Sequence, residues 1–121
     1  MIQEGHFEQG LTPQQEIEGL RKRAMESPEK TPEILKEHFA QAPEQVYAPG
    51  YLPSPEDVAR MEQKVVDAHY QEKENAIKYL FEIVKEKGAL NAAGIAKKLD
   101  PALQDEFHDR LVFYLRQTGE L

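Results

Sequence analysis

Apolar residues recur at helical spacing along most of the chain. Between Ser54 and Lys87 they fall at Val58, Met61, Val65 and Ala68, then at Ala76, Ile77, Leu80, Phe81 and Val84. Near the end they fall at Leu103, Phe107, Leu111, Val112, Tyr114 and Leu115. Steps of three and four place residues on one face of an α-helix, whereas a half-buried strand needs strict alternation, and no segment alternates. Two earlier stripes are narrower: Ile17, Leu20, Ala24 and Met25, then Ile34, Leu35, His38 and Phe39. Helices as short as these need tertiary contacts to persist in water.

The boundaries come from a repeated pair in which a small capping residue precedes proline: Thr12-Pro13, Ser27-Pro28, Thr31-Pro32, Ser54-Pro55 and Asp100-Pro101. A side-chain oxygen at the N-cap satisfies free backbone N–H groups, and proline loses nothing at the first helical position. These signals predict helices over 12–26, 32–41, 54–87, 91–99 and 101–118. No Pro or Gly interrupts the segment between Pro55 and Gly88, so one continuous helix of ~50 Å is expected there. Such a helix outgrows a small domain and needs a covering partner, either the N-terminal arm or a second copy of the chain. A break near Glu74 would instead make a compact bundle easier to close.

Before that helix, "APEQVYAPGYLPSPE" sets four prolines around Tyr47 and Tyr51 and reads as an extended linker with polyproline character. The expected fold is all-α: a small helical bundle with a C-terminal helix-turn-helix-like three-helix unit, preceded by a long helix and a partly ordered N-terminal arm. The chain divides into an arm, 1–53, with short helices and the Tyr/Pro linker, and a helical domain, 54–121. Leu80, Phe81, Val84, Leu90, Ile95 and Leu99 can close a core with the last helix.

Composition narrows the function. Fifteen Lys and Arg against 22 Asp and Glu give a net charge of −7 over 121 residues, and both sides of Gly50 are acidic. Such a field repels phosphate backbones and anionic bilayers, so neither nucleic acid nor membrane is an expected partner. The chain has no Cys, which removes disulfides and thiolate chemistry and fits a reducing compartment. The polar start "MIQEGHFEQG" lacks a signal peptide's basic region and apolar run, and no apolar stretch approaches the ~20 residues of a membrane span. A cytoplasmic location is expected.

Candidate chemistry is sparse. Ser27, Ser54, Thr12 and Thr31 all stand at helix starts, which accounts for their hydroxyls, and the seven glycines form no phosphate-cradling loop. Asp105 and His108 stand three apart with Asp109 close by, an acid-x-x-His pair of the kind found in metal sites inside bundles, and His69 with Glu72 gives a reversed pair. Those sites also need several carboxylates from facing helices, so charged helix edges are the simpler reading. The basic run "GLRKRAME", between Glu16, Glu18 and Glu26, reads as a solvated face. Tyr47 and Tyr51 suit either a partner's groove or the chain's own helices, self-packing being favoured. No catalytic residue, cofactor or metal is expected.

The segment "YLFEIVKEKGALNAAGIAKKLDPALQDEFHDRLVFYLRQTGEL" resembles the helical part of a winged-helix domain. That resemblance implies a third helix entering the major groove, its early residues on base edges. Here those residues are Gln104, Asp105, Glu106, His108 and Asp109, with Arg110 the one firm positive charge. Carboxylates lining a phosphate-walled groove are electrostatically poor, and the sequence runs out at Leu121, where the family's wing would begin. The expectation is therefore a non-catalytic interaction or adaptor module that docks a protein partner, or a second copy of itself, through helix faces. Gln104, Asp105, His108, Asp109, Tyr47 and Tyr51 are the contact candidates. A DNA-binding regulator and a small metal-binding protein are the alternatives.

Overall fold

The computed structural model describes residues 10–117. Among these residues seven α-helices follow one another: α1 Pro13–Glu26, α2 Thr31–Phe39, α3 Pro43–Val46, α4 Pro55–Gln71, α5 Lys73–Lys87, α6 Ala89–Leu99 and α7 Pro101–Arg116. Short 3₁₀ turns span Pro28–Lys30 and Pro49–Tyr51. No strand occurs among the described residues, only a single bridge between Leu11 and Tyr47. The expected all-α bundle is the observed one.

Pro-linked caps explain three of these helix starts. Thr12 Oγ1 accepts from the Gln15 amide at 3.1 Å while Gln15 Oε1 accepts from the Thr12 amide at 3.0 Å, closing a reciprocal capping box. Ser54 and Asp57 repeat the arrangement at α4, and Asp100 Oδ1 caps α7 through the Ala102 amide. Ser27 and Thr31 depart from the pattern. The chain between them forms the 3₁₀ turn, and the fully buried Thr31 donates its hydroxyl back to the Pro28 carbonyl at 2.7 Å.

The expected continuous helix over 54–87 is broken at one residue. Glu72 is extended, with φ −167° and ψ 135°; its amide closes α4 on the Ala68 carbonyl, and its carbonyl opens α5 by accepting from Asn75. The physical reason lies in the two apolar stripes on either side of "YQEKEN". Tyr70 is 89% exposed, and no buried side chain lies between Val65 and Ala76. A continuous rod would hold one of its two apolar stripes away from the core. Folding back buries both, with Met61 and Val65 on one side and Ala76, Ile77 and Leu80 on the other. Lys64 and Tyr79, about equally far from Glu72, meet across the hairpin with the ammonium 5.8 Å from the ring centroid.

One hydrophobic cluster draws on both sides of residue 53. Leu20 and Ala24 of α1 and Ile34 and Leu35 of α2 join Leu80, Val84, Ile95, Leu103, Phe107, Leu111 and Leu115. Phe81 lies tilted against Phe107, ring centroids 5.4 Å apart, and edge-on to Tyr114 at 6.2 Å. A smaller cluster joins Val46 and Tyr47 to Leu90. The stretch expected as an extended linker is thus partly helical, with α3 and a 3₁₀ turn either side of an extended Tyr47. No helix among the described residues is long and apolar enough to cross a membrane.

Candidate functional site

Helices α2 and α7, with the end of α6, enclose a surface groove of about 650 Å³. Three of the expected contact residues, Gln104, Asp105 and His108, form its α7 wall, and Phe39 and Lys36 of α2 face them. The His108 ring meets Phe39 edge-on, centroids 6.3 Å apart. These residues converge because α7 presents Gln104, Asp105 and His108 at helical steps of one and three, beside the buried line of Leu103, Phe107 and Leu111. Asp109 is exposed on the same helix but does not line the groove.

The two tyrosines lie elsewhere. Tyr51 is half-buried, and its carbonyl accepts from Asn91 Nδ2 at 3.3 Å. Tyr47 is only 2% exposed and points into the molecule, where it reaches Glu16. Among the described residues, no group of three or more His, Asp or Glu side chains converges in a way that could hold a metal ion, around His108 or elsewhere.

Glu16, which flanks the basic run expected as a solvated face, lies inside, 2% exposed. Its Oε1 accepts from the Ala89 amide at 2.7 Å and its Oε2 from the Leu90 amide at 3.1 Å. The Tyr47 hydroxyl donates to both oxygens at 2.8 Å, and His38 Nε2 lies 2.6 Å from Oε2. A carboxylate is acceptor-only and its neighbours here can all donate, so the cost of burying it is offset. The two amides are the first of α6, where the free N–H groups and the helix dipole favour a negative group. Glu16 thus caps a helix more than seventy residues away, joining α1, α2 and the Tyr47 segment to the α5–α6 turn. Burial and the Glu16 charge push the Tyr47 hydroxyl far above its ordinary value, which keeps it a donor.

Two glycines make room for Tyr47. A Cβ on Gly88, whose φ is +105°, would stand 2.1 Å from the Tyr47 hydroxyl oxygen; one on Gly10, at φ +75°, would stand 2.4 Å from the Tyr47 backbone. Only glycine adopts such backbone freely and leaves that space empty.

The sequence did carry a signal for Glu16. Glu16, Leu20 and Ala24 are successive steps of four, so the carboxylate lies in line with the buried stripe of α1. What sequence could not supply was the group waiting for it, the uncapped start of α6.

Arg110 of α7 and Lys98 of α6 are engaged within the chain, whereas Lys97 lines the groove without an ion-pair partner among the described residues. Arg110 forks onto Glu74, Nη1 and Nη2 each 2.8 Å from one carboxylate oxygen, and its Nε reaches Glu106 at 3.1 Å. Lys98 pairs with Glu62 at 3.0 Å. No protein-family model, curated protein or solved structure matches the chain.

Proposed function

We propose that the chain is a non-catalytic docking module, an adaptor that binds a protein partner through the α2/α7 face. The observation that carries this reading is the groove itself. Gln104, Asp105 and His108 stand along one wall with Phe39 opposite, so an entering side chain would meet apolar surface flanked by polar groups. Within the groove Glu33 and Asp105 are matched by Lys36 and Lys97, and the exposed Asp109 just outside it leaves the α7 rim acidic, which favours a partner with Lys or Arg at that rim. Glu16, His38 and Tyr47, ionisable groups enclosed together, are engaged with one another and with the α6 amides, which supports a structural rather than a catalytic role for them.

The reading is tested by placing a photo-crosslinking amino acid at Gln104 in the full chain and irradiating the cells that produce it. The expected result is one discrete protein adduct that disappears when Asp105→Lys and Asp109→Lys are added. A folded chain giving no adduct, or one indifferent to both substitutions, overturns the reading.

A further inference from the structure

On the far side of α7 the molecule carries a second furrow of different character. At about 3.6 residues per turn, Tyr114 projects from α7 opposite Asp105. There it forms the shared wall of two adjoining hollows of about 450 and 580 Å³, which also share Lys85. Ile77 and Phe81 give an apolar floor at one end, and Ile17 and Val84 do so at the other.

The charge there runs against that of the chain. Arg21, Lys78, Lys85 and Arg110 line the furrow against Glu18, Glu74 and Glu82, a local excess of one positive charge in a chain of net −7. Glu74 is taken by Arg110, Glu82 sits 3.5 Å from Lys85, and Glu18 accepts from Gln14. Arg21 has no carboxylate within ion-pair distance among the described residues, although the chain has 22 acidic side chains. Its guanidinium lies 4.5 Å above the Tyr114 ring, with Nε and Nη2 buried and without hydrogen-bond partners. A cation held over an aromatic face, with two nitrogens desolvated and no counter-anion, can offer its remaining Nη1 to a carboxylate, and the loss of water around it strengthens the attraction.

We infer that this furrow binds an acidic amphipathic segment of another protein, its apolar side chains over Phe81 and Tyr114 and a carboxylate on Arg21. The inference rests on the reading of the chain as a docking module and gives that module a second face of opposite preference. A two-faced adaptor would bridge a basic partner on the Asp105 side and an acidic one on the Tyr114 side.

The test titrates the full chain with a fluorescein-labelled synthetic helix of Glu, Ala and Leu, alongside a control in which every Leu is Ser. Saturable binding is expected for the first, weakened about tenfold by Arg21→Glu and by the exposed Lys78→Glu, the equivalent of about 1.4 kcal/mol. Asp105→Lys should leave it unchanged. Arg21→Glu is scored only if its circular dichroism matches the parent; Lys78→Glu, on the surface, carries the test otherwise.

Absence of saturation, equal binding of the Ser control, or indifference to Lys78→Glu overturns the inference. So does equally tight binding of a single-stranded oligonucleotide or of anionic vesicles, or self-association in sedimentation that Lys78→Glu abolishes, which would make a second copy the occupant. None of these outcomes touches crosslinking at Gln104, so the two readings fail separately.

Discussion

Glu16 and Glu74 are both carboxylates gripped by another part of the chain, yet they stand at opposite ends of what such a grip is worth. Glu74 has the better charge partner, a two-pronged guanidinium at 2.8 Å, but the Glu74 and Arg110 side chains are 44% and 39% exposed. Water and salt compete for both groups, and exposed pairs of this kind contribute little to stability. Glu16 has two amides, a hydroxyl and an imidazole, and its side chain is wholly enclosed. Removing Glu74 returns Arg110 to water. Removing Glu16 leaves buried donors from three segments without their shared acceptor, only the Leu90 amide keeping the Tyr47 hydroxyl, so the asymmetry lies in the partners left behind rather than in the bonds themselves.

The comparison is broken most directly at Glu16. Glu16→Ala is expected to cost about 4 kcal/mol, because it strips the α6 amides, Tyr47 and His38 of a shared buried acceptor. Urea unfolding followed by circular dichroism measures it, and a loss below about 1 kcal/mol would erase the distinction between the two sites. Amide exchange at Leu90 should quicken in any variant that still folds.

Gly88→Ala comes next, at about 3 kcal/mol, since a Cβ there combines an unfavourable positive φ with intrusion on the Tyr47 ring. Paired with Tyr47→Ala in a double-mutant cycle, most of that cost should vanish; if it persists, backbone strain rather than the ring is responsible. Tyr47→Phe keeps the packing and removes a hydroxyl that donates to Glu16 and accepts from the Leu90 amide, for about 1.5 kcal/mol by the same unfolding assay.

How much of this was legible beforehand follows from the range of each signal. Helix starts at Thr12, Ser54 and Asp100 were readable because a cap and its proline act over three residues, and the capping bonds are there. The buried stripes of α5, α6 and α7 were readable for the same local reason. The break at Glu72 was not, because nothing in "YQEKEN" forbids a helix; the decision belongs to the distant surfaces that folding back allows to meet. Self-packing of Tyr47 was expected, but its meeting with Glu16 was hidden in the same way, since an acid four residues before Leu20, although in line with the buried stripe of α1, reads as solvated until the start of α6 arrives beside it. At the candidate site, Gln104, Asp105 and His108 could be grouped by their spacing on one helix. Phe39, more than sixty residues earlier, joins them only through the packing of α2 on α7.

The smallest expected effect lies at Glu74 and sharpens the comparison through its dependence on pH. Hydrogen bonds from Arg110 hold the Glu74 carboxyl below its ordinary value of 4.5, outweighing the opposing effect of partial desolvation. A carboxyl whose value is lowered by folding binds its proton more readily in the unfolded chain. The pair therefore stabilises the fold above the ordinary value and loses that contribution as pH falls through the lowered one. Glu74→Gln should accordingly be slightly less stable than the parent at neutral pH, with the difference shrinking as the solution is acidified and as salt is added. Unfolding midpoints collected from neutral to acidic pH at low and high salt would show this convergence. A gap that stayed constant across pH would mean that Glu74 acts through packing rather than charge, and the contrast with Glu16 would then be one of burial alone.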